Sequence, residues 1–115
     1  MITKKEIGDM GEDLATSYME KQGYLIKARK YRTRVGEIDI IAEKNEQIVF
    51  VEVKTRTGLD CGEPIEAVDK RKLQRIHIVG EEYKHKEGKY HKKSRIDVIE
   101  VLIAHHEDIG VWRGG

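Results

Sequence analysis

Apolar and polar positions change period along the chain, and the changes divide it into six main elements. After Thr3, Ile7, Met10, Gly11, Leu14, Ala15 and Tyr18 recur at helical spacing, which predicts an amphipathic helix with these residues on its inner face. Thr3 and Glu6 have the spacing of a capping box, and Gly23 marks a stop, so the helix is expected to run to about Gln22. Gly8 and Gly11 each cost roughly 1 kcal/mol against Ala inside a helix, so both are expected to permit close packing. Tyr24–Tyr31 (YLIKARKY) reads as a first strand, less apolar than the rest and so near a sheet edge. Two richer strands follow, Val35–Ala42 and Gln47–Lys54, joined by a turn within Glu43–Glu46. Thr57–Pro64, with two glycines and the only proline, reads as a loop and a candidate flap. A second helix is expected to begin between Pro64 and Asp69 and to reach about Lys84, packing through Leu73, Ile76, Gly80 and Tyr83. His85–Lys93 is a polar loop around Gly88. Arg95–Ala104 is a buried strand, and Ile109–Trp112 a short last one. No repeat or boundary divides residues 1–115, so the chain is expected to be one domain.

The two central strands carry charge where a core is expected. Alternation places Ile38, Ile40 and Ala42 on one side of the first, and Val49, Val51 and Val53 on one side of the second. Pairing those sets makes an apolar face and leaves Glu37, Asp39, Glu52 and Lys54 together on the other. A turn centred on Asn45–Glu46 sets Asp39 across from Glu52. A turn centred on Lys44–Asn45 sets Glu37 there instead. Either way carboxylates on neighbouring strands meet within about 4.5–5.5 Å at Cβ. Such a pair is costly unless a cation sits between them, and a hard divalent ion, magnesium or manganese, suits carboxylate oxygens.

Composition narrows the class. Charged residues make up 37% of the chain but the net charge is only +1, so any nucleic-acid contact must come from local patches. The single cysteine, Cys61, excludes an internal disulfide framework. The polar start MITKKEIGDM lacks the apolar segment of a signal peptide, and no run approaches the roughly 18 apolar residues of a membrane span; a cytoplasmic protein is expected. The five histidines lack zinc-finger spacing, although His105–His106 form a pair. There is no P-loop or Rossmann glycine motif.

Asp39 followed by Glu52-Val53-Lys54 resembles the core of the PD-(D/E)XK nuclease superfamily. The fuller set is more specific: Gly11–Glu12, GEIDIIA at Gly36–Ala42, FVEVKTR at Phe50–Arg56 and RIDV at Arg95–Val98. Together these resemble the YraN family of small bacterial proteins, whose fold is related to that of Holliday-junction resolvases. The match runs from about Ile7 to Ile103. The resemblance implies an α/β fold with a restriction-endonuclease-like αβββαβ core, a mixed central sheet flanked by helices. It implies a divalent-metal-dependent endonuclease acting on DNA, on branched or recombination intermediates, and a homodimer suited to symmetric cutting. Asp39 and Glu52 are then the metal ligands and Lys54 the catalytic cation. Glu12 takes the place of a first-helix glutamate that reaches toward the metal. Lys70 corresponds to a family lysine at the start of the second helix, against the simpler view of a solvated lysine.

Other positions stay two-sided. Lys27–Arg34 holds five basic residues, ending in Arg34, which read equally as a solvated edge or as a phosphate-contacting rim. Arg56 is a phosphate contact if the strand extends that far. The basic loop His85–Lys93 is a second candidate surface, and Asp97 either supports the site or pairs with Arg95. The rival to a nuclease is a nucleic-acid-binding module that keeps the fold without turnover; a structural adaptor is the third alternative.

Overall fold

A computed structural model describes residues 2–57 and 69–103, together with the strand at 113–114. The helix α1 (Lys4–Lys21) starts where its cap dictates: Thr3 Oγ1 accepts from Glu6 N, and Glu6 Oε1 accepts from Thr3 N, each at 3.1 Å. It ends at Gln22, with Gly23 at φ +92°, a conformation that glycine adopts without a Cβ penalty. Then come β1 (Leu25–Arg32), β2 (Glu37–Lys44), β3 (Gln47–Thr57), α2 (Lys70–Lys86), β4 (Lys93–Ile103) and β5 (Arg113–Gly114). The result is the expected α/β, αβββαβ arrangement, with a short fifth strand added. Beyond Thr57, the expected flap loop lies outside the described residues, as do Cys61, His105–His106 and the strand expected at Ile109–Trp112.

The sheet order is β1-β2-β3-β4-β5, with β3 and β4 parallel and the other neighbours antiparallel. A parallel pair needs a crossover, and α2 lies on it. Two cores result, one on each side of the sheet. Ala15 and Met19 of α1 cover Ile40, Ala42, Val49, Val51 and Val101; Ile76, Val79 and Tyr83 of α2 cover Ile38, Ile41, Ile48 and Phe50. Burying each such aliphatic side chain contributes roughly 1.5–3 kcal/mol, so β2 and β3, buried on both faces, anchor the domain. Among the described residues no helix is long and apolar enough to cross a membrane.

Three sequence expectations need correction. The inner face of α1 is rotated: Met10 and Tyr18 are exposed, whereas Glu12, Thr16 and Met19 are buried. Of its glycines only Gly11 is needed for packing, because a Cβ there would overlap the Thr55 side chain while Gly8 faces open space. Finally, Ile38 and Ile40 do not share a face. Ile38 packs under α2 and Ile40 under α1, so β2 turns over at Asp39. The β1 residue opposite this point, between the pairs Arg29–Ile40 and Tyr31–Ile38, is Lys30, which has φ +50°. A left-handed lysine costs about 1–2 kcal/mol, and here both strands depart from regular alternation at the same level.

Candidate metal and nucleic-acid site

The hairpin turn sets the site. Lys44 pairs with Gln47, leaving Asn45 and Glu46 as a two-residue turn with φ of +52° and +64°. Positive φ at both central positions is the signature of a type I′ turn, which matches the twist of a hairpin. This is the first of the two registers considered, and it carries Asp39 to the level of Glu52. Glu37 is thereby displaced from that role and pairs with Arg32 at 3.3 Å.

The β2–β3 ladder runs only as far as Ile40–Val51. Beyond it the strands separate, and Asp39 Oδ2 takes the place of a backbone acceptor, receiving the Val53 N–H at 2.7 Å. Asp39 therefore does not project from the same face as Glu52 and Lys54. It lies in the fork between the strands and lines a recess of about 590 Å³ under α1 with Asp9, Glu12, Lys30, Glu37 and Thr55. Glu52 projects toward α2, where Lys72 Nζ is 2.8 Å from its Oε2. Lys54 follows on that same face. The Asp39 and Glu52 carboxyls nevertheless come within hydrogen-bonding reach through the fork.

The electrostatic consequence is specific. Burial, then the neighbouring Glu52 and Glu12 carboxylates, push Asp39 up to about 7 against the stabilising Val53 N–H. Glu12 is only 5% exposed, and its two oxygens are held at 2.9 Å by Arg29 Nε and Lys30 Nζ. Arg29 also reaches Asp13 at 2.6 Å, and Lys30 reaches Asp9 at 3.0 Å. Two of the five basic residues of the candidate rim are thus committed to α1, and Arg32 to Glu37. Arg34 is exposed in the β1–β2 connection and forms no ion pair among the described residues.

The remaining candidates fall as follows. Lys54 is half-buried and has no ion-pair partner among the described residues. Arg56 lies within β3 with Nη1 3.7 Å from Glu100 Oε2. Lys70 is exposed at the first turn of α2, whose N-cap is Asp69. Asp97 pairs with Arg95 at 3.1 Å and lines a separate recess beside Tyr24, so its structural alternative is the one realised. The basic loop before β4 is largely neutralised, since Lys89 and Lys92 both bind Glu43 of β2. The residue missed from sequence is Lys72. Its signal was electrostatic: Lys70, Arg71 and Lys72 crowd the positive end of α2, whose first turn has no acidic residue.

A divalent ion can be tested against these side chains. Among the described residues no group of three His, Cys, Asp or Glu is placed to hold a metal. Magnesium, however, is ordinarily held by one or two carboxylates with water and substrate phosphate completing its shell. Asp39, its pKa raised by burial and by the adjacent carboxylate, and Glu52 supply that hard-oxygen pair. The donor set fits, with Glu12 at its border rather than among its ligands.

The fold and site define a class: a small α/β domain with an acidic pair at the fork of a mixed sheet and lysines beside it. The chain belongs to the YraN family. A profile of the Uncharacterised protein family UPF0102 matches residues 11–101. A UPF0102 protein of Dictyoglomus thermophilum is 40% identical over 111 residues, covering 96% of this chain and 94% of the relative. Another, of Alkaliphilus metalliredigens, is 45% identical over 105 residues, covering 91% and 92%. Both relatives are named by family alone.

Proposed function

We propose that this protein is a divalent-metal-dependent endonuclease acting on DNA, with branched or recombination intermediates as its substrates. The observation that carries the proposal is the meeting of Asp39 and Glu52 inside the fork, with Asp39 pushed up to about 7 by burial and like charge. The Val53 N–H and Lys72 offset only part of the cost of holding two carboxyls together in a half-buried place, and a shared divalent ion accounts for the pair. Bound magnesium or manganese supplies a water of lowered pKa and a ligand for a phosphate oxygen. Asp39 and Glu52 hold the ion, and the Val53 N–H fixes the orientation of Asp39. Lys54 offsets charge developing on the phosphate. Glu12, neutralised by Arg29 and Lys30, supports the recess wall under α1. Arg34, Arg56 and Lys70 contact neighbouring phosphates. Two copies suit symmetric cutting of two strands, so a homodimer belongs to this proposal.

The test is a cleavage assay on labelled linear, flapped, single-stranded and four-way-junction DNA, with magnesium or manganese. Product should form with metal only and fall by at least about 10²-fold in Asp39→Asn and Lys54→Ala, the scale of losing electrostatic stabilisation. One observation favours a second function, a binding module without turnover: Glu12 and Glu52 already have lysine or arginine partners. Salt-dependent DNA binding that survives Lys54→Ala, with no product from any DNA, would select that alternative.

A further inference from the structure

We infer that Lys72 is an exchangeable cation of the acidic pair: it holds Glu52 before a metal ion arrives and is released to a substrate phosphate when the ion takes its place. This rests on the proposed metal site and adds to it a coupling between metal and nucleic-acid binding.

The argument starts from asymmetry within the pair. Glu52 is 8% exposed and Lys72 is 45% exposed, so the carboxylate is fixed while the ammonium sits at the surface on a flexible stem. Lys72 compensates only one of the two carboxyls. Asp39, on the far side of the fork, has Val53 N–H as its donor and feels Glu52 as a like charge. An ion shared by both carboxyls satisfies both, which the Lys72 ammonium at Glu52 does not, and its arrival removes the attraction that held Lys72 there. The released charge stays close by. Lys70, Arg71 and Lys72 occupy the first turn of α2, where the helix dipole disfavours three cations and the one anion alongside is the N-cap Asp69, which accepts from Arg71 N at 2.8 Å. A phosphate there relieves that repulsion.

The experiment measures manganese binding directly, by the loss of its free-ion electron paramagnetic resonance signal at pH 8. The proteins are wild type, Lys72→Met, Lys72→Arg, Lys70→Met and Asp39→Asn, each checked for folding by circular dichroism. Lys72→Met should bind manganese about three- to tenfold tighter, because a partly exposed ion pair no longer competes. Lys72→Arg should stay near wild type. Lys70→Met, the same charge change without contact to Glu52, should stay within about twofold. The second measurement is the salt dependence of binding to a short DNA duplex with phosphorothioate linkages, which slow cleavage. With manganese, Lys72→Met should lower the slope of log affinity against log salt by about one; without it the slope should not change. Equal manganese affinity in wild type and Lys72→Met, with binding lost in Asp39→Asn, overturns the exchange and leaves the metal site standing. An unchanged salt slope with manganese overturns the release to phosphate. Manganese binding that is absent from wild type, or indifferent to Asp39→Asn, overturns the metal site itself.

Discussion

Asp39 shows how one residue can be unfavourable for the fold and useful for a site. In the folded protein it keeps its proton up to about pH 7, whereas an unfolded aspartate loses it near 3.8. Between those values the folded state binds more protons, so metal-free stability should fall as pH rises from about 4 to about 7. Asp39→Asn keeps an oxygen for the Val53 amide and removes the charge. In urea unfolding at pH 8 without metal it should be more stable than wild type by on the order of 1–3 kcal/mol, and nearly equal at pH 4. Equal stability at both pH values would mean that Asp39 carries no such penalty. The residue scale is also where sequence was least informative. Asp39 and Glu52 were recognisable as partners, but their approach from different sides of the sheet depends on the turnover of β2 opposite Lys30, a non-local feature that period-two alternation does not contain. The burial of Glu12 was not legible either, because the cations that permit it, Arg29 and Lys30, come from another element.

At the scale of elements, local chemistry was legible. The capping box of α1 and the glycine at its end follow from neighbours in sequence, whereas the turn within Glu43–Glu46 left two centres open, of which Asn45–Glu46 is realised. The inner face of α1 did not follow from neighbours, because Gly11 rather than Met10 sits at the closest approach to β3. That contact gives a test with opposite signs on one helix. Gly11→Ala gains helix propensity but forces a Cβ into Thr55, so it should destabilise by about 1–3 kcal/mol. Gly8→Ala meets nothing within 4 Å and should stabilise by up to about 1 kcal/mol. Thermal unfolding of both proteins checks the pair; a stabilised Gly11→Ala would show that α1 can lift from β3 at little cost.

For the whole molecule, the mixed sheet does two things at once. Buried on both faces, β2 and β3 form a rigid base, and their separation beyond Ile40–Val51 opens the fork that admits Asp39. A net charge of +1 provides no broad attraction for nucleic acid, and many basic side chains are paired internally. On the proposed function, recognition is therefore local, at the end of the sheet where Lys72 pairs with Glu52 and Lys54 follows on the same face of β3. The most direct test of that pair is calorimetric titration of magnesium at pH 6.5 in two buffers of different ionisation heat. If Asp39 and Glu52 share the ion, roughly 0.5–1 proton should leave per ion bound, and Asp39→Asn should abolish both the binding and the release. Absence of binding, or proton-free binding that persists in Asp39→Asn, would contradict a metal site at the fork.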